Sequence, residues 1–556
     1  MTRIPLKTDG VDILHDTEIN AIINKIQTTN ATNVDWEMAF PRVFNVKNYG
    51  ATGNGSTDDT TAIQTAMDAA GVLGGSVYIP IGTYTLSSAI TSGLDGFQRA
   101  GLQIPSGVRV FGENRFKTKF TTTSVPGGAA NSYFVCLTNK NRTTTATHII
   151  IENIGFSLPL PTETATGLQA WDGAIEFYGV SRSIIRNCWI NNGSINLRPN
   201  TTNQNTANAL TLGSNTYNII DSCMFENITG IGFYQASNSQ ITNCQIKKVW
   251  DDAIGIHSAG VRNRITANFI DGGPVVSSKG ATTAIILINN DNAVGTGAAS
   301  GAMKGNTVAF NSIMNNLGFF ASGSGIDLNG ASDTIIHGNI IHDCALDGIR
   351  VNQSNNTTMS GNIIFRNRAN GAQVIAGTSG TFHSASILDN LIYNNGTAAA
   401  NNHGIGIVAN DAGRNLQNII AMNNIVYDNQ GTQTQLYVVR YAHDGNISNI
   451  TISNNNVLGS PNFKLDSGGA GTLSGEKYFR NHGYVTENGG DSSVSNGTTI
   501  SHGLATTPTK VVLTSQSSLA RILSVTAKGA TTFTVGVLST TGTTVSNTRA
   551  YWYAEV

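Results

Sequence analysis

The residues best equipped for chemistry gather in the segment VWDDAIGIH. Asp251 and Asp252 adjoin Trp250, and His257 follows shortly after. Glycoside hydrolysis asks for one acid to protonate a leaving oxygen and a second carboxylate to activate water. A ring that stacks on a sugar face completes the set. A similar aromatic–acid pairing occurs earlier, at Trp171, Asp172 and Gly173. Asp is also an ordinary turn former, so the pair Asp251/Asp252 has a structural reading beside the catalytic one.

A second set of polar residues emerges when the segments GAIEFY, GIGFY, AIGIH, AIILIN, GIDLN, GIRVN, GAQVI and GIGIV are aligned on their apolar positions. Alternation of period two puts the residues between them on the opposite side of a strand. Glu176, Tyr178, Tyr234, His257, Asp327, Asn329, Arg350 and Asn352 are then expected on one exposed face. Asp327 and Arg350 fall on consecutive segments, with His257 two segments from Asp327. Asp251, Asp252, His257, Asp327 and Arg350 are the catalytic candidates. Trp171, Glu176, Tyr178, Tyr234, Trp250, Asn329 and Asn352 are the candidates for substrate binding. A uronate polymer would call for different chemistry: Tyr234, His257 or Arg350 would act as base or acid at the C5 proton, with its carboxylate neutralised. Asp327 with Arg350 also reads as a plain ion pair. His337, His342, His403 and Asp347 read as turn or hydrogen-bonded residues. No cofactor is indicated with certainty; calcium suits the carboxylates near Trp250, although no EF-hand-like loop exists.

These strands must be brought together by a repeat. Its first half reads IIRNCWI, IIDSCMF, ITNCQI, ITANFI, VAFNSI, IHGNII, MSGNII, ILDNLI, IAMNNI and ISNNNV. Its markers are Cys188, Cys223, Cys244, Asn268, Asn311, Asn339, Asn362, Asn390, Asn423 and Asn455. The shortest spacings match one solenoid turn, and the longer ones imply loops inserted on particular turns. The short alternating segments argue for strands, so the expected architecture is all-β: a right-handed single-stranded parallel β-helix in which markers stack as ladders. Cys at a marker position is expected to be a small buried filler.

Composition supports a solenoid. The chain has 556 residues, with charged residues at 12% and Gly numbering 61 against 11 Pro. That length exceeds one ordinary compact core, and the bias is unlike that of a disordered chain. A formal net charge of −1 without basic runs argues against a nucleic-acid partner. No apolar stretch is long enough to span a bilayer, and the N-terminus lacks a signal-peptide apolar region. Five cysteines, odd in number and without metal-ligand spacing, argue against a disulfide framework.

Ahead of the repeats, FNVKNYGATGNGSTDDTTAIQTAMDAA and GGSVYIPIGTYTL run from Phe44 to Leu86. Here Ser56, Thr57 or Asp58 can cap a helix whose Ile63 and Met67 cover the end of the core, and Asp58 and Asp59 read as caps. This stretch resembles the opening of the pectate-lyase-like β-helix superfamily, which includes polysaccharide lyases, glycoside hydrolases, mannuronan epimerases and viral tailspikes. The resemblance implies a carbohydrate substrate without fixing the reaction. The Asp pair and downstream His are similar to part of a polygalacturonase signature, but Asn-Thr-Asp, Gly-His-Gly and Arg-Ile-Lys are missing.

The expected organisation is an N-terminal attachment or oligomerisation segment (1–40), the β-helix (41–465) and a small C-terminal β-sandwich for trimerisation or glycan binding (476–556). In the first, Ile19, Ile22, Ile23 and Ile26 form the apolar stripe of a short helix. It looks like the leading segments of phage tail proteins, which implies a homotrimer, a baseplate or tail partner, and a virion-surface or extracellular location. The leading expectation is a tailspike-like depolymerase of a capsular, exopolysaccharide or cell-wall glycan, acting by hydrolysis. The alternatives are a non-catalytic glycan-binding fibre and a uronate lyase or C5-epimerase.

Overall fold

A computed structural model describes residues 43–87, 98–122, 133–141, 144–159, 163–164, 167–168, 173–198, 215–228, 230–249, 252–273, 283–289, 303–315, 323–377, 380–396, 403–459, 462–466, 471–481, 487–501, 507–515, 521–539 and 548–555. The N-terminal segment 1–40, with its apolar stripe, lies outside them.

The chain coils as the repeat requires. Among the described residues three long sheets contain 15, 14 and 13 strands, and the chain visits them in turn on successive rungs. Every pairing within them is parallel; Ile184, Ile219, Gln240 and Arg264, for example, occupy one register position. Each rung turns its Ile, Val, Leu or Phe side chains inward, giving one continuous core from Phe44 to Tyr478.

The Cys and Asn markers do stack. Gln245 N donates to Cys223 O and Phe269 N to Cys244 O, and Cys244 N then donates to Asn268 Oδ1 at 3.0 Å, where the cysteines hand over to asparagines. From there each Asn Nδ2 donates to the Oδ1 of the next rung: Asn268, Asn311, Asn339, Asn362, Asn390, Asn424, Asn455 and Asn481. Each of the first seven also donates to a main-chain carbonyl, so buried amides leave no donor unmet. One marker is corrected. Asn424 occupies the ladder, while Asn423 sits just before it with φ of 58°, the left-handed corner that Asp389 and Asn454 fill on the adjacent rungs and Gly338 and Gly361 on earlier ones. Asn tolerates that conformation, so two adjacent Asn residues disguised the register. All five cysteines are free and buried, and burial pushes the Cys188 and Cys223 thiols up.

The glycines that open the second half-repeat have a steric origin. A Cβ at Gly325, Gly348, Gly371 or Gly404 would lie 2.3, 2.3, 2.4 or 2.6 Å from a γ-methyl of Ile341, Ile364, Ile392 or Val426.

Helix α1 (Thr60–Leu73) closes the first rung, with Ile63, Ala66, Met67 and Ala70 fully buried. Its Gln64 side chain pairs with the Gln103 backbone on the edge strand, accepting from N at 2.8 Å and donating to O at 2.9 Å. The two acids divide their work differently from the expected double cap. Asp58 accepts from Thr60 N at 3.1 Å, whereas Asp59, at the cap position, makes no side-chain cap bond. Its carboxylate is buried and accepts from the Thr52 and Gly53 amides, tying down the Gly-rich loop.

The helix also runs beyond the expected boundary at 465: Leu473–Phe479 pairs in parallel with Asn446–Ser453, and Asn481 ends the ladder. After it, among the described residues, come two three-stranded antiparallel sheets. Their separate core contains Phe533, Val535, Val537 and Trp552, while Tyr553 is half-buried.

Candidate functional site

The 13-stranded sheet carries the candidate residues. Among its strands, in spatial order, are Gly173–Tyr178, Ser194–Arg198, Gly230–Tyr234, Ile254–His257, Thr283–Ile288, Ser324–Asn329 and Ile349–Asn352. Glu176, Asn196, Gly232, Gly255, Ile286, Asp327 and Arg350 share one outward register row. Tyr234, His257, Ile288, Asn329 and Asn352 form the next. The expected common face is therefore present, but it is not uniformly exposed. Glu176 and Tyr178 are each 1% exposed and Asp327 is 2% exposed. They point away from the apolar core yet are covered by their neighbours.

The row divides into two polar groups. In the first, Arg198 pairs with Glu176, which accepts a 2.9 Å hydrogen bond from the Tyr178 hydroxyl. The Arg198 guanidinium lies 4.6 Å from the centre of the Tyr234 ring, and that ring stacks on His257 at 4.6 Å and 14°. Two glycines make this stack fit. A Cβ at Gly255 would lie 2.1 Å from His257 Nε2, and one at Gly232 would lie 2.7 Å from Tyr234 Cε2. Each ring thus folds back across the glycine two residues before it. Buried Glu176 and Tyr178 form the support; Arg198, Tyr234 and His257 are partly exposed. Arg198, Asn196 and the two glycines were missed from sequence. The signal was present in SINLR, which fits the half-repeat except that Ser replaces Gly, and in the Gly-x-aromatic and Gly-x-His spacings.

In the second group Arg350 Nη2 pairs with Asp327 Oδ2. Asp327 Oδ1, Arg350 Nε and Asn352 Oδ1 are buried without hydrogen-bond partners among the described residues. Asp347, expected as a simple turn residue, is a buried carboxyl pushed up to about 6 by desolvation. It accepts from Asn370 N at 3.0 Å and Nδ2 at 2.9 Å. Burial pushes the His403 imidazole down to about 3, with a smaller contribution from Arg440; neither ring nitrogen has a partner among the described residues. This differs from the solvated or hydrogen-bonded histidine expected. His337 and His342 do hydrogen-bond, with Ser360 and Asp343.

Trp171, Trp250 and Asp251 lie outside the described residues. Asp252 is half-buried at the corner before the Ile254–His257 strand. Counting back from the Ile254–Ile285 and Ile326–Ile349 pairs, it stands three rungs from Asp347. That is about 14 Å along the axis, wider than the roughly 6.5–9.5 Å of an inverting pair. Among the described residues no group of three or more His, Cys, Asp or Glu could hold a metal ion, and no helix is long and apolar enough to cross a membrane.

A family model described as rhamnogalacturonase A/epimerase, pectate lyase-like, matches residues 43–257, and one for a right-handed beta helix region matches 229–387 and 276–460. Mannuronan C5-epimerase AlgE3 of Azotobacter vinelandii is 58% identical over 45 residues, 8% of this chain and 2% of that protein. Alginate lyase 7 of the same organism is 45% identical over 76 residues, 14% of this chain and 8% of that protein. The chain thus spans a small fraction of these relatives' length. The tailspike gp61 of Pseudomonas phage phi297 superposes with a TM-score of 0.53 at 12% identity, covering 93% of this chain and 99% of that one. The tailspike gp49 of Pseudomonas phage LKA1 gives 0.50 at 11%, covering 92% and 100%. At such identities the likeness is one of fold.

Proposed function

Taking the chain as a right-handed parallel β-helix related in fold to pectate-lyase-like proteins, epimerases and phage tailspikes, we propose that it is a polysaccharide-acting enzyme whose reaction begins by removing the C5 proton of a uronate unit. The Arg198–Tyr234–His257 stack on buried Glu176 and Tyr178 carries this reading. The C5 proton of a uronate is acidified by the adjacent carboxylate, and its loss is easier when a cation meets the developing charge. Arg198 would meet the substrate carboxylate, with Glu176 holding the guanidinium in place. His257 or Tyr234 would take the proton. If the C4–O bond then breaks and its oxygen is protonated, the outcome is elimination; if C5 is reprotonated from the opposite side, it is epimerisation. The local matches to a mannuronan epimerase and an alginate lyase support this chemistry over hydrolysis.

Hydrolysis is the second reading, favoured by Asp347. A carboxyl held protonated to about pH 6 near an ion-paired Asp327 suits an acid partnered with a carboxylate. A panel of uronans and neutral glycans separates the readings. New reducing ends with absorbance in the unsaturated-uronate band mean elimination, and C5 deuteration in heavy water without chain cutting means epimerisation. Reducing ends without that absorbance would overturn the proton-abstraction reading in favour of hydrolysis. Binding without any turnover or exchange would leave a glycan-binding fibre.

A further inference from the structure

Between the two polar groups lies the rung Thr283–Ile288, whose outward residues are Ile286 and Ile288. Ile286 is in register with Gly255 on one side and Asp327 on the other, and Ile288 with His257 and Asn329. Both are partly exposed. Since the His257 ring lies back across Gly255, Ile286 is its neighbour along the helix axis. Every other rung from Gly173 to Asn352 carries a polar or aromatic side chain in these two rows: Glu176 and Tyr178, Asn196 and Arg198, Tyr234, His257, Asp327 and Asn329, Arg350 and Asn352.

One exposed isoleucine is unremarkable, but an apolar rung inside a polar row makes a demand on whatever lies over it. Rungs are about 4.8 Å apart, and a pyranose unit in an extended chain advances by a comparable length. A glycan running along this face would therefore set one sugar over Ile286 and Ile288, next to the sugar at His257. Hydroxyls directed at that rung would meet the apolar side chains of Ile286 and Ile288. A methyl group would instead gain by leaving water. On the far side the partly exposed Asn329, Arg350 and Asn352 offer a return to polar contacts.

We propose that Ile286 and Ile288 form a subsite for a methyl-bearing sugar, an O-acetylated or 6-deoxy unit adjoining the one at His257. The subsite rests on the reading that substrate lies along this face. Its test measures binding and turnover separately on an O-acetylated uronan, the same polymer after mild alkaline deacetylation, and a heteropolymer of uronate and a 6-deoxyhexose. The protein should bind a methyl-bearing polymer at least about fivefold more tightly than the bare one. Ile286→Thr/Ile288→Thr keeps the β-branched shape of the strand and should bring the affinity ratio of methyl-bearing to bare polymer to about one. If the double variant does not fold, Ile286→Thr alone reads the same ratio. Preference in the acetyl arm alone identifies an ester methyl, and preference in the deoxy arm alone a C6 methyl. Equal binding throughout, a preference that survives the substitutions, or no binding to any polymer overturns the subsite. Selective binding without turnover upholds the subsite and defeats the proton-abstraction reading; turnover by elimination or epimerisation without selectivity does the reverse.

Discussion

His257 is held by what is missing beside it. With Gly255 replaced by alanine, the new Cβ would stand 2.1 Å from Nε2 and the imidazole would have to leave its stack on Tyr234. Gly255→Ala should lower turnover about 100-fold or more with an unchanged circular dichroism spectrum, because loss of a positioned base costs roughly 10²–10⁴. Asp327 behaves differently. An outward carboxylate ordinarily matters little to stability, but this one is buried and paired with Arg350, so Asp327→Asn would strand a largely buried guanidinium. The cost should be about 2 kcal/mol by denaturant titration, below the ~3–5 for a fully buried pair because 30% of the Arg350 side chain is exposed. Asp347 gives a pH signature. Its folded pKa of about 6 lies above that of an unfolded Asp, about 3.9, so it favours folding fully below the lower value. That contribution fades as pH rises through about 6, by roughly 2–3 kcal/mol. Asp347→Asn should flatten this part of the stability profile and raise the denaturant midpoint at pH 8.

At the level of elements, the Asn ladder helps to hold together a long solenoid that carries little charge. Each ladder amide ties its own rung to the next and to a carbonyl on the rung before. Removing one strands several buried polar groups, at about 1–3 kcal/mol each. Asn424→Ala should therefore lower stability by roughly 2–5 kcal/mol, whereas Asn423→Gly, at the left-handed corner, should be neutral or better. Comparing the two by thermal or urea unfolding tests the register shift directly.

For the whole molecule, the two apolar clusters share no residue: one fills the β-helix, the other the C-terminal sheets. A chain ending after residue 486 should keep a cooperative unfolding transition and whatever turnover the full chain shows. Loss of both would tie the C-terminal part to the stability of the helix, and loss of turnover alone would tie it to the site. At the opposite end, α1 seals the first rung through Ile63, Met67 and Gln64. Substituting these should destabilise the β-helix as a whole, because an uncapped end leaves strand edges and core open to water.

Period-two alternation and the repeated Cys and Asn markers were sufficient for the architecture, because a coil of stacked strands imposes the same local demand on every rung. They also placed Glu176, Tyr234, His257, Asp327 and Arg350 on one face, since register follows from counting. What counting could not supply is how far a side chain leans. Only the folded chain laid His257 across Gly255, buried Glu176 and Asp327 on an outward face, and brought Arg198 between Glu176 and Tyr234. Those outcomes depend on contacts between rungs tens of residues apart, where the size of a neighbour decides the direction of a ring. Two adjacent Asn residues, either able to occupy a ladder or a left-handed corner, likewise look alike until the rungs above and below select one of them.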